Sequence, residues 1–172
     1  MLMKNVVVTG MGIVSCIGTG IQEVLGNLKQ GTSGISKNST YKDMGFRSHV
    51  SGSININLSE LIDRKILRFM SEASGFGYIA AQEALTNASL NLEEIDTKRI
   101  GIVAGSGGAS PAAQIEASDI ARDRGPKRIG PYAVTKTMGS TVSAILGTTL
   151  KIKGVNYSIS SACSTSAHCV GH

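Results

Sequence analysis

The stretch SSACSTSAHC, residues 160–169, places one cysteine among small residues and follows it with a histidine and a second cysteine. Cys163 stands between a predicted strand and a predicted helix, where unpaired backbone N–H groups favour a thiolate. Small neighbours leave room for a substrate, so Cys163 is a candidate nucleophile. A buried, inert thiol is the alternative, because free cysteine is among the most buried residue types.

The spacing of Cys163, His168 and Cys169 does not favour a metal site. Residues five apart diverge by roughly 140° around a helix, since each residue adds about 100°. The stretch also lacks the paired spacing of common zinc ligands. The same angle excludes His168 as an obvious base for Cys163, so a histidine that assists this thiol has to come from elsewhere. We predict no metal site.

Two glycine-rich stretches resemble nucleotide-binding loops, but each lacks a required residue. TGMGIVS, residues 9–15, has Ser15 where a dinucleotide fingerprint needs its third glycine. The stretch Gly105–Gly108 lacks the Gly-Lys-Ser/Thr ending of a phosphate loop. We interpret the first as a tight turn and the second as a turn or a pocket wall.

Composition limits the class of protein. The chain has 172 residues, of which 41% are hydrophobic and 17% charged, as expected for one compact domain with a sizeable core. The net charge of +5 favours an acidic partner, whether nucleic acid, an anionic membrane or a protein. Three cysteines without a secretory signal indicate a cytoplasmic location. No apolar run is long enough to span a membrane.

Strands alternate with helices along the chain, which predicts an α/β fold with a mainly parallel central sheet. Thr32–Ser59 is irregular and polar, and we predict a loop there with one small edge hairpin or strand, for example at Ser53–Asn57. Buried strands are predicted at Met3–Thr9, Arg99–Ala104 and Val155–Ser158, and helices at Ile21–Leu28 with Gly31 as the stop, Arg68–Ala88, Ser110–Ala121 and Tyr132–Leu150.

The run VNYSISSACSTSAHCVG, residues 155–171, resembles the nucleophile segment of the β-ketoacyl-[acyl carrier protein] synthases, and its ending SAHC is most similar to the synthase I type. The motifs VVVTGMGIVSCIG, RSHVSG, LIDRKILRFMSEAS, GIVAGSGGASP and GPYAVTKTMGSTVSA also occur in the family's order. The resemblance implies a thiolase-like fold, a layered αβαβα architecture with covered, mixed, mainly parallel sheets. Residues 1–172 match its N-terminal half domain. The C-terminal half, with the family's two histidines, lysine and gating phenylalanine, is absent, and His172 stands where the family usually has Asn.

The resemblance also implies an activity, an acyltransferase of fatty acid biosynthesis that extends acyl chains by decarboxylative condensation. Cys163 corresponds to the residue that accepts the acyl group from the phosphopantetheine of acyl carrier protein. The family is homodimeric, and we expect neither a cofactor bound by the chain itself nor a nucleic-acid or membrane partner. Gly107 and Met138 match the acyl pocket, and the surface that docks the acidic carrier corresponds to Arg64, Lys65, Arg68, Arg124 and Lys127.

Two other functions stay open at this point. The first is a non-catalytic truncated chain that self-associates through an apolar face or binds acyl carrier protein. The second is a thiolase that uses coenzyme A thioesters on the same fold, although the long motifs match synthase I better. We expect this chain alone to be inactive in condensation.

Overall fold

The computed structural model describes residues 5–172, which group into two compact units. Among these residues, the first unit is 5–57 with Ile79–Leu90, and the second is Leu58–Tyr78 with Asn91–His172. The elements in chain order are β1 Val14–Ser15, β2 Gly18–Thr19, α1 Ile21–Gln30, β3 Ser36–Lys37, α2 Ser39–Asp43, β4 Val50–Ser51, α3 Leu58–Leu61, α4 Arg64–Leu67, α5 Glu72–Asn87, β5 Ile102–Gly105, α6 Pro111–Arg124, α7 Ala133–Thr137, α8 Thr141–Thr149, β6 Asn156–Ile159 and α9 Thr165–Gly171. Short 3-10 turns lie at Thr97–Arg99, Pro126–Arg128 and Ala162–Ser164.

Helix α1 of the first unit confirms the predicted helix and its stop. Apolar residues on one face include Val24, which is buried. Gly31 adopts the left-handed conformation at φ 67°, and its N–H donates to the Leu28 carbonyl at 3.2 Å. The next N–H, that of Thr32, donates to the Asn27 carbonyl at 2.9 Å. Glycine therefore ends the helix because it reaches this conformation without a steric penalty.

The predicted strand at Met3–Thr9 is wrong over the part that the structure describes. Met3 and Lys4 lie outside the described residues, and Asn5–Thr9 belong to no strand pair of residues 5–172. Val6 is 96% exposed and Val8 79% exposed. A β-branched run favours a strand only where a neighbouring strand and a covering layer are present. The sequence pattern indicates a preference for a strand, but it does not show whether a neighbouring strand is there to pair with.

Gly10 and Gly12 follow this segment, and the predicted tight turn there is also wrong. Residues 10–13 form neither a turn nor a regular element, and a Cβ at Gly10 would collide with the Ala84 carbonyl oxygen. A Cβ at Gly12 would collide in the same way with the carbonyl oxygen of Ala80. The two glycines therefore allow the backbone to pack directly on α5, which is the close approach expected of a glycine-rich chain.

The loop prediction for Thr32–Ser59 is correct in kind but places its hairpin wrongly. The antiparallel pair joins β3 to β4, with Ser36 opposite Ser51, and Ser53–Asn57 has no regular structure. Helix α2, which was not predicted from the sequence, begins at Ser39. Asn38 caps it, since its side chain accepts the Tyr41 N–H at 3.2 Å.

The centre of the second unit is the parallel pair of β5 and β6, which confirms two of the predicted strands with slightly shifted bounds. Ile102 lies opposite Asn156 and Gly105 opposite Ile159. Helix α8 packs on this pair, and its Ser143 hydroxyl lies 2.6 Å from the Ser158 hydroxyl. Because paired hydroxyls leave no unsatisfied polar group, they fix the helix on the sheet without an energetic penalty.

Two helix predictions need correction. The helix predicted from Arg68 begins at Glu72, because Arg68 ends α4. The helix predicted for Tyr132–Leu150 is two helices, since Met138 takes an extended conformation at ψ 145° between α7 and α8. No helix within residues 5–172 is both long enough and apolar enough to cross a membrane.

Candidate active site

The loops that follow β5 and β6 lie at the same edge of the parallel pair. The strands end opposite each other at Gly105 and Ile159, so Ser106–Gly108 and Ser160–Ser164 emerge side by side. The Ser160 hydroxyl donates to the Ser106 carbonyl at 3.1 Å. Ligands in open α/β folds usually bind at this carboxyl edge. The structure therefore brings two sequence-predicted residues, Cys163 and Gly107, to one place.

Cys163 lies in the 3-10 turn Ala162–Ser164, directly before α9. It is a free and exposed thiol, which contradicts the burial that the alternative interpretation assumed. Within residues 5–172 its backbone N–H makes no hydrogen bond, and no acid or base hydrogen-bonds to its sulfur. The turn offers an accessible sulfur with an available N–H donor beside it. A nucleophile and one oxyanion donor are what acyl transfer needs first.

The residue before Cys163 has a strained backbone. Ala162 has φ 46°, in the left-handed region where a residue with a Cβ is disfavoured. Strained residues persist only where their surroundings over-determine them, and they cluster at active sites. The surroundings here include Gly107, since a Cβ at that position would lie 2.6 Å from the Ala162 carbonyl oxygen.

Thr165 is the residue of this turn that sequence reasoning missed. Its side chain is only 3% exposed, and its hydroxyl accepts the Ser161 N–H at 2.9 Å. The same hydroxyl donates to the Ala162 carbonyl at 2.8 Å. A threonine in the first turn after a candidate nucleophile was the available signal, since such hydroxyls commonly bond nearby backbone groups.

Met138 lines a separate cavity of about 440 Å³ in the second unit. Lys65 also lines this cavity, so its wall includes one residue predicted for the acyl pocket and one predicted for carrier docking. Its other walls are mostly apolar or threonine side chains, among them Phe69 and Ile145. Such a lining suits an alkyl chain better than a charged ligand.

The five basic residues predicted to dock a carrier protein are all exposed. Arg64 and Lys65 lie in α4, and Arg68 follows at its end, with its guanidinium 4.9 Å from the centre of the Phe69 ring. Arg124 ends α6, and Lys127 lies in the next 3-10 turn. The cations therefore lie on two segments of the second unit, one at α4 and the other at the end of α6 and the 3-10 turn that follows.

His168 lies in α9, outside the 3-10 turn of Cys163, and His172 shares a hydrogen bond of 3.2 Å with the Tyr157 hydroxyl. Among the residues that the structure describes, no group of three His, Cys, Asp or Glu side chains could hold a metal ion.

The fold is the thiolase-like fold of the ketosynthases. The β-ketoacyl synthase of Burkholderia phymatum STM815 matches with a TM-score of 0.83 at 23% identity, over 98% of this chain and 42% of that one. A chain from the complex of a type II PKS acyl-carrier protein with its ketosynthase, bound to the hexaketide, matches with a TM-score of 0.71 at 20% identity. This second match covers 96% of this chain and 44% of the other.

Residues 3–172 match the family described as "Beta-ketoacyl synthase, N-terminal domain", and the chain belongs to this family. It is 52% identical over 172 residues to 3-oxoacyl-[acyl-carrier-protein] synthase 1 of Escherichia coli (strain K12). This alignment covers 99% of the chain and 42% of the relative, so the chain spans less than half of that protein's length. The predicted fold and the resemblance to synthase I are confirmed.

Proposed function

We propose that the whole protein is a 3-oxoacyl-[acyl carrier protein] synthase of fatty acid biosynthesis, with Cys163 as its nucleophile. The observation that carries the proposal is the exposed thiol of Cys163 on a strained turn at the carboxyl edge of two parallel strands. The name of the relative that is 52% identical supports the reaction class. Residues 1–172 would then be the N-terminal half domain of a longer enzyme.

The reaction divides into two transfers. The Cys163 sulfur attacks the thioester carbonyl of an acyl group on phosphopantetheine, a new C–S bond forms, and the carrier leaves as its thiol with the proton. Malonyl-carrier then loses carbon dioxide, and the electron pair of the broken C–C bond attacks the acyl-Cys163 carbonyl. The sulfur leaves, and the product is a 3-oxoacyl chain two carbons longer.

Each transfer develops negative charge on a carbonyl oxygen. The backbone N–H of Cys163 would stabilise the acyl oxyanion together with an N–H of the second half. The two histidines and the lysine expected there would serve the decarboxylation. We therefore propose that this chain alone does not complete the condensation.

The substrates would be carried on acyl carrier protein, whose acidic surface suits a basic patch of Arg64, Lys65 and Arg68 with Arg124 and Lys127. Support comes from the exposure of these residues and from the structural relative, a ketosynthase in complex with its acyl-carrier protein. Met138 would line the acyl pocket, as its apolar cavity suggests. Gly107 does not line that cavity but lies beside Ala162, and its place in the acyl pocket is proposed from the family resemblance alone. We further propose a homodimer and a cytoplasmic location.

The test is acyl transfer followed by mass spectrometry of the purified natural gene product, with acyl- and malonyl-carrier protein as substrates. The acyl mass is expected on the peptide that contains Cys163, and Cys163→Ala should abolish both the adduct and the condensation. Cys169→Ala is the matched control, a half-buried cysteine six positions away that should retain activity. A Cys163→Ala variant that condenses normally would refute the proposal, and efficient use of coenzyme A thioesters would favour a thiolase.

A second candidate function is a non-catalytic chain that self-associates or binds acyl carrier protein. The apolar run Val6–Val8 favours it, since these side chains are 71–96% exposed. Light scattering of the natural product separates the two. Concentration-dependent assembly without any acyl-Cys163 adduct would support this second function.

A further inference from the structure

We infer that Thr165 is a positioning residue for Cys163, an inference that rests on the proposed function. Its hydroxyl makes two hydrogen bonds within residues 161–165, which we call the nucleophile turn. It accepts the Ser161 N–H and donates to the Ala162 carbonyl. These two residues immediately precede Cys163. The side chain thus closes a short ring whose backbone carries the nucleophile.

Thr165 is the buried member of this ring. It is 3% exposed, whereas Ser161, Ala162, Cys163 and Ser164 are all exposed. The two hydrogen bonds are therefore part-buried, with the threonine side shielded from water and the outer face of the turn in solvent. A hydrogen bond that is partly shielded from water is stronger than one at the surface, so it restrains the turn.

The fixed position of Thr165 comes from the end of the neighbouring strand. A Cβ at Gly105 would lie 2.8 Å from the Thr165 methyl carbon, so the methyl group packs directly against the backbone of β5. The backbone of Gly107, two residues after Gly105, also lies close to the turn, since a Cβ there would be 2.6 Å from the Ala162 carbonyl oxygen. The methyl group fixes the side chain against β5, and the two hydrogen bonds of the hydroxyl hold the turn to this fixed side chain.

The consequence is a fixed direction for the Cys163 sulfur and for its backbone N–H. Ala162 sits at φ 46°, a conformation that the chain would leave if its restraints were removed. Rotation of this residue would re-aim both the sulfur and the N–H that follow it. Acyl transfer needs the sulfur and the oxyanion donor in register with one carbonyl, so small displacements are costly.

The experiment compares Thr165→Val with Thr165→Ser in the natural gene product. Valine has nearly the same shape but cannot make either hydrogen bond, whereas serine retains the hydroxyl. We expect Thr165→Val to lower the single-turnover rate of Cys163 acylation by roughly 10- to 100-fold, with KM for the acyl carrier nearly unchanged. Thr165→Ser keeps the hydroxyl but loses the methyl contact with β5, so its rate should lie between those of Thr165→Val and the wild type. Ser74→Ala is the control, because it removes a fully buried hydroxyl bond outside the turn.

A second readout separates direction from accessibility. Iodoacetamide is small and approaches an exposed thiol from many directions, so its rate with Cys163 should change by less than about threefold in Thr165→Val. Equal losses in alkylation and acylation would overturn the positioning role, as would unchanged acylation in a folded Thr165→Val protein. If Thr165→Val does not fold, Thr165→Ala decides, because alanine removes both hydrogen bonds and is smaller than threonine. A folded alanine variant that acylates at the wild-type rate refutes the inference, and one that has lost acylation but not alkylation supports it.

Failure of this inference differs from failure of the proposed function. If the wild-type protein shows no acyl-Cys163 at all, the proposed function is wrong. If the wild-type protein acylates and condenses but Thr165→Val does so equally well, the function stands and the positioning role is wrong.

Discussion

Replacement of Gly107 by alanine should displace the nucleophile turn. The new Cβ would lie 2.6 Å from the Ala162 carbonyl oxygen, 3.0 Å from its carbonyl carbon and 3.3 Å from its Cα. Ordinary van der Waals contact begins at 3.4 Å, so the backbone has to move by about 0.8 Å. All three opposing atoms belong to the main chain, and no rotamer change relieves the clash.

The size of the effect follows from that displacement. Overpacking of this kind costs about 1–3 kcal/mol of stability. A shift of nearly 1 Å in a reacting group costs on the order of 100-fold in rate. We therefore expect Gly107→Ala to lower Cys163 acylation by on the order of 100-fold while the protein still folds, as measured by single-turnover transfer and by thermal unfolding.

The assay also separates two roles of Gly107. If the glycine positions the turn, acetyl and long acyl groups should be transferred more slowly by the same factor. If it only gives width to the acyl pocket, long chains should suffer and acetyl should not. Gly108→Ala is the matched control, because no atom lies within 4 Å of a Cβ there. A Gly107→Ala protein that acylates at the wild-type rate with every chain length would refute the reasoning.

Two further predictions concern stability and docking. The Glu83 carboxylate accepts the Ile13 N–H at 2.9 Å and the Ile21 N–H at 2.7 Å, so Glu83→Ala should destabilise the protein by about 2–3 kcal/mol in urea unfolding. Glu83→Gln should lose less, because its amide oxygen still accepts one N–H, and an unchanged midpoint for Glu83→Ala would contradict the role. Lys65→Glu should raise KM for the acidic carrier roughly tenfold at low salt and much less at high salt, whereas Lys153→Glu, an exposed control outside the predicted patch, should change it little. Equal effects of the two charge reversals would argue against a specific docking surface.

Local patterns predicted the elements that depend on local chemistry. The stop of α1 at Gly31 and the strands around Cys163 were identified, because a glycine C-cap and a β-branched run carry their own signals. The break at Met138 was missed although Gly139 and Ser140 follow it directly, because the small and apolar residues on both sides favour one continuous helix. A buried strand was predicted over Val6–Val8, but these residues are exposed and unpaired with any strand of residues 5–172. The sequence pattern could not show this, because a strand forms only where a partner strand distant in the sequence lies beside it.

The candidate site divides in the same way. Cys163 was predicted as a candidate nucleophile from its small neighbours and its place between a strand and a helix. Thr165 was not, because its importance comes from burial against β5 and from two hydrogen bonds that only the folded turn creates. Gly107 was assigned from resemblance as pocket width, whereas the structure adds a backbone contact with Ala162.

The energetic balance of the nucleophile turn explains why one buried hydroxyl can control it. The left-handed conformation of Ala162 costs about 1–2 kcal/mol relative to the right-handed region. Each hydrogen bond of the Thr165 hydroxyl contributes about 1 kcal/mol net, so the two together offset the strain with little to spare. A glycine at position 162 would avoid the strain but would also rotate freely. An alanine held against its preference by Thr165 instead has one well-defined conformation, and the sulfur that follows it points in one direction.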